Sequence, residues 1–265
     1  MKDPKDRSES AAPPGMNGSL GPGPDPRSGF QRLPLSPLSS SYLYWTFPLR
    51  GDVGQKGISG CLILLPGAVF QGGPIGDDEV LICADSGALS LQKGSTVPDI
   101  IIGDMDSIPW HVLDRMAGKG AAIVGYPEDK DASDGELAVR LGLEFAPSRM
   151  DIYGGKEGRS DHVLSSFQLL YIVPRSVKCV LHLDDDDIIL LREGEERDIR
   201  TPRPIVSLIP AMGPCRVTLK GLKWELDREV LLPGSTRGIH NENPGRPFRL
   251  TVHQGGVFII MTEDE

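Results

Sequence analysis

From about residue 58 onward, apolar positions come in runs of strand length: Cys61–Leu65, Val80–Ala84, Asp99–Ile102, Ala121–Val124 and Met150–Tyr153. Between several of these runs the period becomes helical. Ile108–Gly118 sets Val112, Leu113 and Met116 on one side and ends on a glycine suited to a C-terminal stop. Ser133-Asp134-Gly135-Glu136 reads as a capping box, with Ser133 as N-cap and Glu136 at N3, opening a helix that carries Leu137, Ala138 and Leu141. A third helix is expected over Asp161–Val173, closed by Pro174. Strands alternating with helices imply parallel pairing through right-handed crossovers, and so an α/β domain whose sheet is covered on both faces. After Pro174 the period falls to two. VKCVLHL and DIILL flank Asp184-Asp185-Asp186 as a hairpin, and IVSLIP, CRVTL, KWEL, EVLL, FRLTV and VFIIM follow between Gly, Pro and Asn clusters. About eight short strands without a helix predict an all-β sandwich or barrel.

Residues 1–40 lack this patterning and are rich in Pro, Gly and Ser, so they are expected to form a disordered tail. The aromatic stretch Tyr42–Leu49 could add an edge strand. The chain is accordingly divided into a tail (1–40), an α/β catalytic domain (41–175) and a β-sandwich domain (176–265).

Composition adds mainly exclusions. The 28 Lys and Arg against 37 Asp and Glu give a formal charge of -9, which argues against a nucleic-acid partner because such binding starts from a basic footprint. No apolar run approaches the roughly 20 residues a membrane span requires, and no secretory h-region follows the first lysines. Four cysteines without a CxxC spacing (Cys61, Cys83, Cys179, Cys215) suggest buried, reduced thiols and a cytoplasmic protein.

Ligands of open parallel sheets collect at the carboxyl ends of the strands. Acids gather there in this chain: Asp85 after the second run, Asp104 and Asp106 after the third, Asp129, Asp131 and Asp134 after the fourth, Asp161 after the fifth. Asp104 and Asp106, spaced i, i+2 beyond a strand, suit a hard divalent cation, although an Asp-rich turn that caps the next helix explains them equally well. Lys130 among carboxylates suits a polyphosphate oxygen or a surface ion pair. Arg159 in a Gly-rich strand-to-helix turn could hold phosphate on its guanidinium and on backbone N–H groups. The sequence contains no Walker A loop, zinc-ligand spacing or G-x-S-x-G elbow. An Asp-rich site with one Lys and one Arg, lacking an obvious nucleophile, points to magnesium-dependent phosphoryl or pyrophosphoryl transfer.

The ordered set ADSGA (84–88), PDIIIGDMDS (98–107), DKDASDGELAV (129–139), YGGKEGRSDH (153–162), GLKW (221–224) and GIHNEN (238–243) resembles the thiamine pyrophosphokinase family. The likeness spans about residues 60 to 262. It implies an α/β domain followed by a β-sandwich, transfer of a pyrophosphoryl group from ATP to the hydroxyl of thiamine with Mg2+, and a homodimer that shares its thiamine pocket between subunits. Carried over by position, it implies that Asp104, Asp106 and Asp134 bind magnesium and the triphosphate, with Asp85 in the nucleotide region. Lys130 and Arg159 would contact phosphates. Asp131 and Asp161 would line the thiamine and ATP site, and Asn241 would reach thiamine across the dimer interface; the motif does not settle the base, for which Asp104 and Asp161 are candidates, and a metal-bound alkoxide needs little base assistance. The chain departs from the family pattern at Ser86, Leu89, Ser166 and His240. Three alternatives remain: a pyrophosphokinase for a hydroxymethylpterin-like alcohol, a DxD phosphatase of the haloacid-dehalogenase type, and a nucleotide-binding pseudo-enzyme. Against the phosphatase, the acid pair follows the third strand and Ile108 stands where that signature has Thr or Val.

Overall fold

The structure, a computed structural model, describes residues 57–264 apart from Gly73, Lys93, Glu157 and Gly158. The expected tail (1–40) and the aromatic segment Tyr42–Leu49 lie outside the described residues.

The five apolar runs form β1 (Gly60–Leu64), β2 (Glu79–Ala84), β3 (Ile100–Gly103), β4 (Ala122–Gly125) and β5 (Arg149–Gly154). They pair in parallel in the order β5-β1-β2-β3-β4. Successive side chains alternate between two cores. Cys61, Ile63, Val80 and Ile82 pack on one face with α2 (Asp134–Glu144) and α3 (Ser160–Ile172). Leu62, Leu64, Leu81 and Cys83 pack on the other with α1 (Trp110–Gly118) and a 3-10 helix, Asp85–Leu91, that the apolar pattern did not announce. Burial on both faces is what a parallel strand without alternation requires. Ser133 caps α2 as expected, its Oγ accepting from the Glu136 N–H at 3.2 Å. The reciprocal half of the capping box is replaced: the Glu136 carboxylate pairs with Arg140 one turn on.

Beyond Pro174 the sheet continues. β6 (Lys178–Leu183) adds in parallel to β5, and a hairpin at Asp184, which adopts a φ of 49°, returns it antiparallel to β7 (Asp186–Arg192). Parallel pairing thus runs one strand past the proline. The remaining strands are β8 (Glu196–Ile199), β9 (Ile205–Lys220), β10 (Leu226–Leu231), β11 (Asn241–Glu242) and β12 (Phe248–Thr262). IVSLIP and CRVTL, expected as two strands, are the two halves of β9; FRLTV and VFIIM are likewise the two halves of β12. These two pair along nearly their whole length, with register shifts between Val252 and Gly256. Val206 and Leu208 from one half of β9 and Cys215, Val217 and Leu219 from the other enter a single core, so the bent antiparallel sheet is sandwich-like. All four cysteines are free thiols.

Candidate active site

The carboxyl ends of β2, β3 and β4 lead into the three acids that meet. Asp85 follows β2 directly, with a φ of 42° that only a constrained backbone holds for a residue other than glycine. Asp104 follows β3, and Met105 (φ 65°) turns the chain sharply between it and Asp106. Asp134 opens α2, where a carboxylate also suits the positive end of the helix. One oxygen from each of Asp85, Asp104 and Asp134 lies within 4.8 Å of the others. Gly103 makes this approach possible. Its φ of 152° disfavours a side chain, and a Cβ there would stand 3.0 Å from Asp134 Cγ and 3.1 Å from Asp85 Cβ.

Lys130 is the cation inside this group. Its Nζ lies 2.7 Å from Asp104 Oδ2 and 3.1 Å from Asp134 Oδ1, the latter a charge contact without hydrogen-bond geometry. Asp134 Oδ1 and Asp85 Oδ1 are therefore buried oxygens with no hydrogen-bond donor. Burial raises the Asp85 pKa above the usual carboxylate range despite the Ser86 N–H and the Ser107 hydroxyl, and Asp104 and Asp106 push the same way. Burial also raises Asp134, against the opposing pull of Lys130. At Asp104 burial is outweighed by the Lys130 hydrogen bond, the Asp106 N–H and the Lys130 charge, which hold the carboxyl below its ordinary value. Lys130 itself is held above the ordinary lysine range, its two carboxylate partners outweighing burial. Two donor-less buried oxygens and a third carboxylate at this spacing fit a hard, oxygen-loving divalent cation.

Asp106 was expected as the third acid of this trio; the geometry brings Asp85 there instead. Asp106 is exposed beside it, its N–H donating to Asp104 Oδ1 at 3.3 Å and its carboxylate accepting from the Ser107 hydroxyl at 2.7 Å. Around the acids opens a cleft of about 670 Å³ lined by Gly67, Asp104, Lys130, Asp134, Arg159 and His162, with Asp131 also on its wall. His162 closes the YGGKEGRSDH motif but was given no role of its own from sequence, and neither was Gly67. Arg159 and Asp161 are exposed at the start of α3 and pair with each other at 2.6 Å, which lowers the Asp161 pKa through that hydrogen bond.

Asn241 lies elsewhere. It is buried, and its amide is engaged at both ends, accepting from the Trp224 N–H at 3.0 Å and donating to the Trp224 carbonyl at 2.7 Å. It fastens the Gly-Leu-Lys-Trp loop and lines a separate cavity of about 280 Å³ with Leu208, Trp224 and Ile239. The half-exposed Trp224 ring carries the Lys223 ammonium 4.5 Å from its centroid.

Two family profiles match the chain. One, described as "Thiamin pyrophosphokinase, catalytic domain", covers residues 75–181; the other, "Thiamin pyrophosphokinase, vitamin B1 binding domain", covers 191–255. The thiamine pyrophosphokinase of Bacillus subtilis (strain 168) is 32% identical over 181 residues, covering 67% of this chain and 80% of that protein. Thiamine pyrophosphokinase 1 of Oryza sativa subsp. japonica is 30% identical over 196 residues, covering 64% of this chain and 74% of that protein. Among solved structures, that of thiamine pyrophosphokinase from Bacillus subtilis matches with a TM-score of 0.69 and 27% identity, over 78% of this chain and 100% of that one.

Proposed function

The chain belongs to the thiamine pyrophosphokinase family and is a transferase, and on that premise we propose that it transfers a pyrophosphoryl group from ATP to the hydroxyl of thiamine, with Mg2+ bound by Asp85, Asp104 and Asp134. The observation that carries this reading is the acid trio with its two donor-less buried oxygens, set in a cleft that also presents Lys130 and Arg159. Magnesium held there would neutralise phosphate charge and leave the phosphorus open to attack.

The chain's own groups supply the rest. Lys130 and Arg159 bind and orient phosphate oxygens, and the N-termini of α2 and α3 add N–H donors and a favourable dipole. The acceptor's hydroxyl oxygen forms a bond to the β-phosphorus of ATP. The bond from that phosphorus to the oxygen shared with the α-phosphate breaks, AMP leaves, and the hydroxyl proton passes to an acceptor base. Asp104 and Asp161, the two candidates for that base, are both held below the ordinary carboxylate range by their cationic partners, which suits charge neutralisation better than proton abstraction.

Thiamine is assigned to the Trp224 cavity, whose aromatic and aliphatic lining fits a pair of flat heterocycles. In this reading a homodimer brings the Trp224 cavity of one copy to the carboxylate cleft of another. The exposed apolar surface of Met212, Leu232 and Ile239 supports that assembly. No described helix is long and apolar enough to cross a membrane; four cysteines that are free thiols support a cytoplasmic enzyme.

The test is to incubate the chain with ATP, MgCl2 and thiamine and to identify the products by 31P NMR, with a hydroxymethylpterin as the competing acceptor. AMP and thiamine diphosphate are expected, and Asp104→Asn and Asp134→Asn should each lose at least about a hundredfold in kcat. ADP in place of AMP, or AMP with the pterin alone, would overturn the assignment.

A further inference from the structure

The acceptor hydroxyl must give up its proton inside the carboxylate cleft, and the groups lining that cleft differ in their ability to receive it. Asp104 and Asp134 are ion-paired with Lys130. Lys130 and Arg159 are cations with no lone pair to offer. Glu128 and Asp131 are exposed carboxylates on the side of the cleft between β4 and α2, and a carboxylate is in general a weaker base than an imidazole. Among the described residues lining the cleft, His162 is the one imidazole.

Its placement follows from the helix. Arg159, His162, Ser166 and Leu169 recur at three- and four-residue spacing, so α3 turns one face to the cleft and His162 neighbours the Arg159 guanidinium on it. The His162 main chain is pinned from both sides. Its N–H donates to the Arg159 carbonyl and to Asp161 Oδ1, each at 3.0 Å. Its carbonyl accepts from the Ser165 and Ser166 hydroxyls at 2.8 and 2.9 Å. Ser166 is buried and stands at one of the departures from the family pattern. The imidazole itself makes no hydrogen bond among the described residues, which leaves its nitrogens open to a ligand. Other histidines lack that freedom: both ring nitrogens of His182 are engaged by Asp151 and Asp187, and His253 Nε2 meets the Thr218 hydroxyl at 2.8 Å. The charged groups around His162 are Arg159 and Asp161 on its own helix, Glu128, Lys130, Asp131 and Asp134 from the segment between β4 and α2, and Asp104 after β3. Of these, Asp161 interacts electrostatically with His162, so a positive charge formed on the ring has an anionic neighbour.

We infer that His162 is the proton acceptor of the reaction: a ring nitrogen takes the proton of the acceptor hydroxyl as that oxygen bonds to the β-phosphorus of ATP. This rests on the reading of the cleft as the site of pyrophosphoryl transfer. The O–H bond breaks as the new P–O bond forms, and the electron pair of the cleaved phosphorus–oxygen bond leaves with AMP. Asp161 neutralises the resulting imidazolium, which gives its proton to solvent once AMP has departed. Asp161 thereby acts through His162 and needs no basicity of its own. The share of the rate left to a base is modest where a metal also polarises the hydroxyl.

The experiment follows AMP formation in a single turnover of the full chain with MgATP and thiamine, as a function of pH, for the wild type, His162→Gln and His162→Ala. Calorimetry with α,β-methylene ATP and MgCl2 measures phosphate binding separately. The wild-type rate should fall on the acid side, across the range in which imidazoles titrate. Both substitutions should slow the rate about 10- to 100-fold at pH 7.5 and remove that acid limb, while affinity for the methylene analogue changes by less than twofold. Added imidazole should restore part of the rate to His162→Ala without accelerating the wild type. His162 is exposed, so neither substitution takes packing from the core. Rates within twofold of wild type, a slower rate with the limb intact, equal weakening of the methylene analogue, or loss of the limb in His240→Ser instead would each overturn the assignment. A wild-type chain that forms no AMP rejects the proposed function; one that forms AMP and is indifferent to His162 rejects this inference alone.

Discussion

Replacing Lys130 by methionine would leave Asp104 and Asp134 facing each other without their shared cation, with Asp85 close by. Like charges at that spacing repel, and both partners are largely buried, so the substitution should cost about 1–3 kcal/mol in metal-free buffer. Added MgCl2 should recover more stability in the variant than in the wild type, because Lys130 no longer competes for the same oxygens. Melting temperature against magnesium concentration reads this directly, and parallel curves for the two proteins would refute it. His182 carries a second consequence at this scale. Burial works against its charge, but Asp151 and Asp187 raise its pKa to about 9. The folded value lies above the ordinary value of about 6.5, so the contribution is complete below about pH 6.5 and is lost as pH rises through 9. The wild-type melting temperature should fall between pH 7 and 9.5, and His182→Gln should flatten that fall. Asp104 and Asp134 are legible in sequence because each directly follows a strand or opens a capped helix. Asp85 is legible as a strand-end acid by the same rule, but its place in the trio is not, because it depends on a left-handed φ and a close glycine contact at Gly103 that leave no spacing to read.

Elements show the same division between pattern and geometry. The parallel strands and the three α-helices of the described residues are readable because burial on two faces and a 3.6-residue period leave dense, distinct traces. β9 and β12 are not readable as single strands, because Gly213-Pro214 and Gly255-Gly256 interrupt them with residues that ordinarily mark turns. Here those residues allow a bend within continuous pairing: Gly255 has a φ of 75°, and the register shifts on either side of Gln254. β11 is two residues long and has no period at all, yet it carries Asn241, whose amide holds Trp224 by two hydrogen bonds. Asn241→Ala should remove both hydrogen bonds to the Trp224 backbone, at about 1 kcal/mol. The Trp224 loop would loosen, so the KM for thiamine should rise about tenfold with the KM for ATP nearly unchanged. An equal rise for both substrates would mean that Asn241 serves the fold alone.

For the whole molecule, the question is whether the α/β part, 41–175 in the sequence division, can stand apart from the strand-rich part, 176–265. β6 pairs in parallel with β5 from Arg149↔Lys178 to Gly154↔Leu183, then antiparallel with β7, so the hydrogen-bonded sheet runs unbroken from β4 to β10. The core around α2 and α3 is shared as well, since Leu181, Leu183, Ile188, Leu190 and Phe258 pack in it with Ile63, Leu137 and Leu169. β7 and β12 alternate between this core and the sandwich-like one, Ile188 and Leu190 facing the first while Ile189 and Leu191 face the second. A fragment of residues 57–175 would therefore expose both the edge of β5 and the apolar face those residues cover, the combination that leads to edge-to-edge aggregation. It should be insoluble or lack a cooperative melt, while the full chain melts in a single transition with calorimetric and van't Hoff enthalpies in agreement. A soluble fragment with its own sharp transition would show that the period change at Pro174 marks an energetic boundary, and that the continuous sheet contributes little to joining the two parts.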